Sequence, residues 1–470
     1  MNIQEILSLS EDQWLTELQV DPITRNIKEN IDYFEGKHPI LTDPSRADYS
    51  IPKWELDEDG QPRVGSNGRK IAGSPEQIKR TRLVINYQQQ IVETAVGMCV
   101  GAPVTLTLNS GDEPGHKEAF DILVDQWRNK ARLDTFSVKM AKALFIESKC
   151  AELYFHDGGD TEGDIKVMLL SKDNGDDIWA HFDDDKKMDA LTRVYTKRMI
   201  VGSKPEDVEV TQIWTAESRW EKQGDGAWEQ TTNPYEKLQI VYYDQGKPEF
   251  HLVTDLISKQ EYVRSQNSDV NKRIGNPNVV VNGKVSGMPD VEQDVKVWNT
   301  EPVPDGQGGT LESSVQYLQL TGASEAISKE LEEHRKDMYK LTWPDLSFLR
   351  ESIKTGSLSG VAIKLMFTDS FVKIGLKKAI FEDFSRRVSI LKRMLAVAQG
   401  AVFDELNISV TFNSILPENT TEIADYLAVA VQNGITSKSQ AIGMLNFNDG
   451  NPNIADEILE EEGREIGGIA

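Results

Sequence analysis

A proline at 344 and a glycine at 356 bracket the stretch that most limits how this chain can fold. From Leu331 the chain reads as a helix ending at Leu341-Thr342-Trp343. Pro344 stops it, because proline lacks a backbone N–H and disfavours helix in the residue before it. Asp345 to Ser357 reads as a loop that mixes apolar and charged residues. Ser359-Gly360-Val361-Ala362-Ile363-Lys364-Leu365 then opens a helix that runs to about Gly400. Loops this long in compact domains are usually functional or lack fixed structure, and we read this one as functional.

The chain is 470 residues long, which exceeds one core and predicts two or more domains. Its charged fraction is 27% and its net charge is −24, so nucleic acid and anionic membranes repel it except where cations cluster. They cluster once: Lys373, Lys377, Lys378, Arg386, Arg387, Lys392 and Arg393 fall on the helix after the loop. Such a run suits a solvated face paired with acidic neighbours. The alternative is contact with DNA phosphates or an acidic neighbouring subunit, with Lys373, Lys377 and Lys378 as the candidates. Cys99 and Cys150 stand in apolar or strand-like runs, as buried thiols in a reducing compartment do. The opening residues do not read as a signal peptide, and no run is long enough to span a membrane. The sequons at Asn407 and Asn419 are therefore expected to stay unglycosylated.

Taken in order, residues 1 to 35 have helical apolar spacing, and 41 to 76 read as an exposed polar loop. Gln77–Val100 reads as one helix, Val104–Leu108 as a strand, and Phe120–Ile146 as mostly helix. From Ala151 to Tyr243 the period becomes two, in short runs such as Glu152–Phe155, Lys166–Leu170, Val208–Trp214, Ser218–Lys222 and Leu238–Tyr243. This predicts an antiparallel meander. A helix resumes near Glu249 and runs to about Arg273; a strand-and-turn module follows, and a helix over 323–343 returns. That is a helical hairpin with a β tip. Leu406–Phe412 reads as a strand, a helix follows Thr420, and the end from Asp456 to Glu465 is strongly acidic. The fold class is α+β.

Catalytic patterns do not emerge. Each Gly-Lys pair (36–37, 246–247, 283–284) is followed by His38, Pro248 or Val285, where a phosphate-binding loop needs Ser or Thr. The chain has no HExxH, no CxxC and no GxGxxG opening a helix. His156, Asp157, Asp160, His181, Asp183, Asp184 and Asp185 are candidate metal ligands in loops between strands, where solvated Asp clusters are common. No cofactor is implied, and the chain reads as a non-enzyme.

Five stretches together resemble the portal proteins of tailed bacteriophages, in the branch found in many long-tailed phages. They are Tyr33-Phe34-Glu35-Gly36-Lys37-His38-Pro39-Ile40, Asn86-Tyr87 through Gly97 to Gly101-x-Pro103, and Ala143-Leu144 to Tyr154. Ser359-Gly360-Val361-Ala362-Ile363-Lys364 after a Pro-Asp loop, and Phe412-Asn413 to Pro417-Glu418-Asn419, complete the set. The chain departs from the family at Glu147-Ser148-Lys149-Cys150, where relatives carry Gly and Tyr, and 284–314 has no counterpart. The resemblance implies a portal-type fold with long stem helices, a mixed α/β wing with antiparallel strands, a small β-containing clip and a helical crown. It maps the wing to 1–248, the first stem helix to 249–275 and the clip to 276–322. The second stem helix would be 323–343, the channel (tunnel) loop 344–360, the long wing helix and strand 361–419, and the crown 420–470. Leu346, Ser347, Phe348, Leu349, Arg350 and Lys354 would be the loop's working residues. The implied assembly is a homo-oligomeric ring, a dodecamer, at one capsid vertex of the virion, assembled in the host bacterial cytoplasm. Double-stranded DNA would pass through it, and its partners would be the large terminase motor, a head–tail adaptor protein, and the major capsid and scaffolding proteins. Two rival readings are another head–tail adaptor, which would usually be shorter, and a multidomain metal-dependent enzyme using His156 and His181.

Overall fold

The computed structural model describes the chain except residues 1, 22, 24, 52, 56, 58–62, 110–114, 160, 202–203, 276–278, 283, 288–298, 305–309, 312–313, 318–322, 345–366, 382–383, 414–419, 437–440 and 442–470. Its centre is the strand Lys149–His156, buried along almost its whole length. Ile240–Asp244 and Ile165–Leu170 flank it, both antiparallel. Successive side chains of a strand point to opposite faces. Cys150 and Tyr154 accordingly join the main core, which is built from the helices Tyr87–Val100, Leu133–Glu147, Thr368–Phe381 and Phe384–Gln399. Ala151 and Leu153 face the other way, onto Ile178 and Leu191 of a second sheet.

That second sheet has five antiparallel strands in the order Glu229–Thr232, Ser218–Gln223, Lys204–Thr215, Met188–Val201 and Asp176–Phe182. The N-terminal helices Ile3–Leu7 and Glu11–Leu18 cover its far side. Trp14 is the anchor there, with Trp220 edge-on at 5.0 Å and Trp228 at 5.5 Å. The N-terminal half is thus layered as helices, a five-stranded sheet, a three-stranded sheet and helices. The expected meander is present, but as two sheets.

Thr105–Leu108 pairs with Ile408–Thr411, so the strands read near residues 105 and 410 meet each other. The helices Thr254–Gly275 and Ala323–Leu341 pack together, with Gln260 Nε2 donating to the Leu331 carbonyl at 2.6 Å. Between them Val279–Asn282 pairs with Ser314–Tyr317, and two smaller hairpins pair Lys284–Gly287 with Asn299–Glu301 and Val303–Pro304 with Thr310–Leu311. The helical hairpin with a β tip is therefore present.

Two expectations need correction. Residues 41–76 are not a plain loop, because Tyr49–Ile51 pairs with Glu76–Ile78 and bridges at Trp54–Ala72 and Val64–Lys70 extend the ribbon. The helix expected from Gln77 begins only at Tyr87. The helix expected to run to about Gly400 is present over Thr368–Phe381 and Phe384–Gln399, and its expected opening, 359–366, lies outside the described residues.

At Ser148, one of the positions that departs from the family's Gly and Tyr, φ is +72°. Ser148 ends the helix Leu133–Glu147 in the left-handed region, where glycine alone is free of strain.

Candidate channel and connector elements

The hairpin of helices is tied to the body by a ladder along one helix face. Glu261, Ser265 and Asp269 recur every four residues on Thr254–Gly275. They accept the backbone N–H groups of Ile85, Leu83 and Thr81 at 2.8, 2.8 and 2.9 Å. Four helical residues rise about 6 Å, and two residues of an outstretched chain rise about 6.7 Å. The two repeats stay in step over three rungs, which is why residues 79–86 lie along the helix and do not form one themselves.

Both ends of the ladder are fixed. At the upper end His38 Nδ1 lies 2.5 Å from Glu261, and its Nε2 lies 3.0 Å from the Tyr33 carbonyl. The imidazole stacks on Tyr33 at 4.1 Å and is fully enclosed with Glu261. At the lower end Arg46 pairs with Asp269 and donates to the Thr81 carbonyl at 3.0 Å. The Gly36-Lys37-His38-Pro39 turn is thus part of the clamp on this helix.

The returning helix, Ala323–Leu341, ends at a second junction. Trp343 is buried and its indole donates to Glu249 at 2.9 Å. Lys377 reaches the other oxygen of Glu249 at 2.5 Å, donates to Gln245 at 2.9 Å and lies over the Phe145 ring. Lys373 donates to the Thr342 carbonyl, and burial pulls its pKa below the ordinary value, against the opposing pull of Asp369 and Glu249. Lys378 lies over the Phe412 ring at 5.7 Å. Two of the three candidate lysines therefore close contacts within the chain at this junction. Burial beside Glu249 also pushes the Cys99 thiol up to about 12, consistent with an inert packing cysteine.

Leu346, Ser347, Phe348, Leu349, Arg350 and Lys354 lie outside the described residues. The flanks of that segment do not: Trp343 on one side and Phe367 on the other are both buried in the main core. Both roots of the segment are therefore held by one body.

The basic run does not form one solvated face. Arg387 is fully buried and pairs with Glu152, fully buried as well. Its Nη1 donates to Ser137 Oγ at 2.6 Å, its Nε lies 3.2 Å from the Tyr243 hydroxyl, and Tyr154 donates to Glu152 at 2.8 Å. Burial pulls this guanidinium's pKa down, but Glu152, Tyr243 and Tyr154 outweigh it and the net shift is upward. Arg393 pairs with Asp404 at 3.1 Å and Glu236 at 3.3 Å. These contacts bind the last core helix to both the helix Leu133–Glu147 and the three-stranded sheet.

Of the histidines and aspartates weighed as metal ligands, Asp160 lies outside the described residues and the others do not converge. Among the described residues no group of three His, Cys, Asp or Glu side chains could hold a metal ion. His156 is buried against Tyr235 in the three-stranded sheet, and burial holds its pKa down. His181, in the other sheet, lies 2.6 Å from Asp189. Sequence reasoning missed Glu249, Glu261, Ser265, Asp269 and the Arg387–Glu152 pair. The polar second half of the helix Thr254–Gly275 was the available signal for the ladder.

Comparison with curated proteins found no match. Among solved structures, a chain in the neck of an empty GTA particle computed with C6 symmetry is similar at TM-score 0.41 and 10% identity. The match covers 76% of this chain and 88% of that one. A chain in the neck of a native GTA particle computed with C12 symmetry gives 0.38 and 10%, covering 76% and 89%. The family model described as "Phage portal protein, SPP1 Gp6-like" matches residues 21–468. Nearly the whole length is matched, so the chain belongs to the SPP1 Gp6-like family of phage portal proteins, the connectors between head and tail.

Proposed function

We propose that the chain forms a closed ring, a dodecamer, at one capsid vertex, with double-stranded DNA passing along its axis during packaging and ejection. The helices 249–275 and 323–343 act as the stem, and 276–322 as the clip that meets the large terminase motor and later a head–tail adaptor. Residues 344–360 line the channel. The layered body (1–248 and 361–419) forms the wing against the major capsid and scaffolding proteins, and 420–470 the crown. ATP hydrolysis is left to the motor, and the ring is built in the host bacterial cytoplasm before it becomes part of the virion.

The observation that carries this reading is the junction at Trp343. A channel loop has to be rooted firmly while its middle meets the DNA, and Trp343, Glu249, Lys377 and Lys373 supply such a root. The charge is suited to the task as well. A wall that gripped phosphates would stall a moving duplex, because each neutralised phosphate adds binding strength. A chain with net charge −24 grips weakly. Arg350 and Lys354 then make brief phosphate contacts, while Leu346, Phe348, Leu349 and Ile353 pack between neighbouring loops. Lys378 remains a candidate for an inter-subunit contact.

The test is to shorten residues 346–355 and measure assembly and packaging separately. Rings should form at normal yield while DNA packaging or retention falls. Normal packaging together with normal retention would refute the loop's role.

A further inference from the structure

Between the two sheets of the body lies a cleft of about 370 Å³. The end of the central strand, Tyr154 to His156, bounds it on one side, and the segment 231–239 that crosses from one sheet to the other bounds it on another. A volume of this size takes a small molecule. Strand register sets its polar wall. Leu191, Trp214, Arg219 and Thr231 stand opposite one another across four strands, and Arg193, Gln212 and Glu221 form the next row. Residues two apart along a strand share a face. Leu191 faces the three-stranded sheet, so both rows do.

The wall is rich in donors that are poorly used. Arg193 is buried and gives its Nε to Asp176 at 2.7 Å, but its Nη1 is 3.4 Å from Gln212 and its Nη2 meets only the Met168 sulfur at 4.0 Å. Arg219 lies over the Trp214 ring at 5.3 Å and stays 4.0 Å from Glu221, and its Nε is buried without a partner. Glu221 is turned instead to Gln212 at 2.8 Å and Gln223 at 2.9 Å. On the facing strand His156 is buried with neither ring nitrogen hydrogen-bonded; the Glu162 and Gly163 backbone lies beside the ring, out of hydrogen-bond geometry. Buried donors left unmet cost stability and call for an acceptor.

We infer that this cleft binds a small oxyanion, a carboxylate or a phosphate, carried on an aromatic body. The wall selects that chemistry. Arg193 and Arg219 line the cleft, and no Asp or Glu of the described residues does, in a chain that has 76 of them. The planar fork of a guanidinium matches the oxygens of a carboxylate or a phosphate. Trp214 and Tyr235, also in the wall, give the rest of the ligand an aromatic surface to pack on. The site belongs to a single subunit, so the inference goes beyond the ring reading and does not depend on it.

The test titrates the full chain with phenyl phosphate, benzoate, inorganic phosphate and benzyl alcohol, read by calorimetry and by tryptophan fluorescence, since Trp214 stands in the wall. Phenyl phosphate or benzoate should bind, one per chain, and more tightly than benzyl alcohol or inorganic phosphate. The tighter of the two identifies the ligand as a phosphate or a carboxylate. Arg219→Gln should weaken that binding about tenfold or more. It should keep the parent's circular dichroism and melting curve, because Arg219 is half-buried and closes no tight ion pair. Thr231→Trp, which fills the cleft beside Arg219 from an exposed position, should abolish binding with both arginines in place. Arg198→Gln, at an exposed arginine outside the cleft, should change nothing. The inference is overturned if neither aromatic oxyanion binds saturably at millimolar concentration, or if benzyl alcohol or inorganic phosphate binds as tightly. Parental affinity in Arg219→Gln or in Thr231→Trp overturns it as well. Ring yield is no part of this readout, so failure here leaves the ring reading standing.

Discussion

Replacing Arg387 with methionine should be among the most damaging single changes in the core. Methionine keeps much of the apolar stem that packs against Phe384, whose ring lies 3.7 Å from the guanidinium. What it removes is the charge opposite Glu152, leaving a fully buried carboxylate with the Tyr154 hydroxyl as its remaining donor. Breaking a buried pair from one side costs about 3–5 kcal/mol, a shift of roughly two to four powers of ten in the folding equilibrium. Glu152→Gln strands the cation, but Ser137 and Tyr243 still supply oxygens, so its cost should be smaller, about 2–3 kcal/mol. The double variant Glu152→Leu/Arg387→Met removes both charges and should return to within about 1 kcal/mol of the parent. Urea titration followed by tryptophan fluorescence reads this directly, because the Trp127 ring lies 5.9 Å from Arg387. A single variant costing under about 1 kcal/mol, or a double variant as unstable as the sum of the singles, would refute the assignment.

Two other changes probe the body. Ser265→Ala removes the middle rung of the ladder and leaves the Leu83 N–H without its acceptor. The cost should be about 1–3 kcal/mol, with faster hydrogen exchange in residues 79–86, and unchanged exchange there would mean the ladder does not hold that segment. Glu147 has its carboxyl pushed up to about 7 by burial, against the lowering effect of the Lys172 and Asp173 N–H groups. Its folded pKa lies above the ordinary 4.5, so its contribution is complete below about 4.5 and is lost as pH rises through about 7. The parent should therefore lose stability relative to Glu147→Gln across that window, by up to about 3 kcal/mol, and parallel stability curves would contradict the assignment.

The helical hairpin, its β tip and the strands near 105 and 410 could be located from apolar spacing and turn residues. The reading failed where contacts from distant residues override spacing. Leu83 and Val84 fit a helical stripe with Tyr87 and Ile91, yet Ser265 and its neighbours take the N–H groups that a helix would have used. Met188–Val201, the longest strand, was overlooked because its sheet is covered on both faces and alternation fades. Arg193, buried within it and paired with Asp176 at 2.7 Å, disguises the pattern further. The basic run after the loop was legible as a feature but not in its use. Nothing local distinguishes Arg387, whose partner lies 235 residues away, from an exposed arginine.

Native mass spectrometry of the purified full chain, with negative-stain imaging of the same sample, tests the central claim most directly. The account predicts particles of a whole-number multiple of 52.8 kDa, twelve-fold, with a central hole. A chain that stays monomeric at high concentration, and forms no ring even with procapsid components, would contradict it.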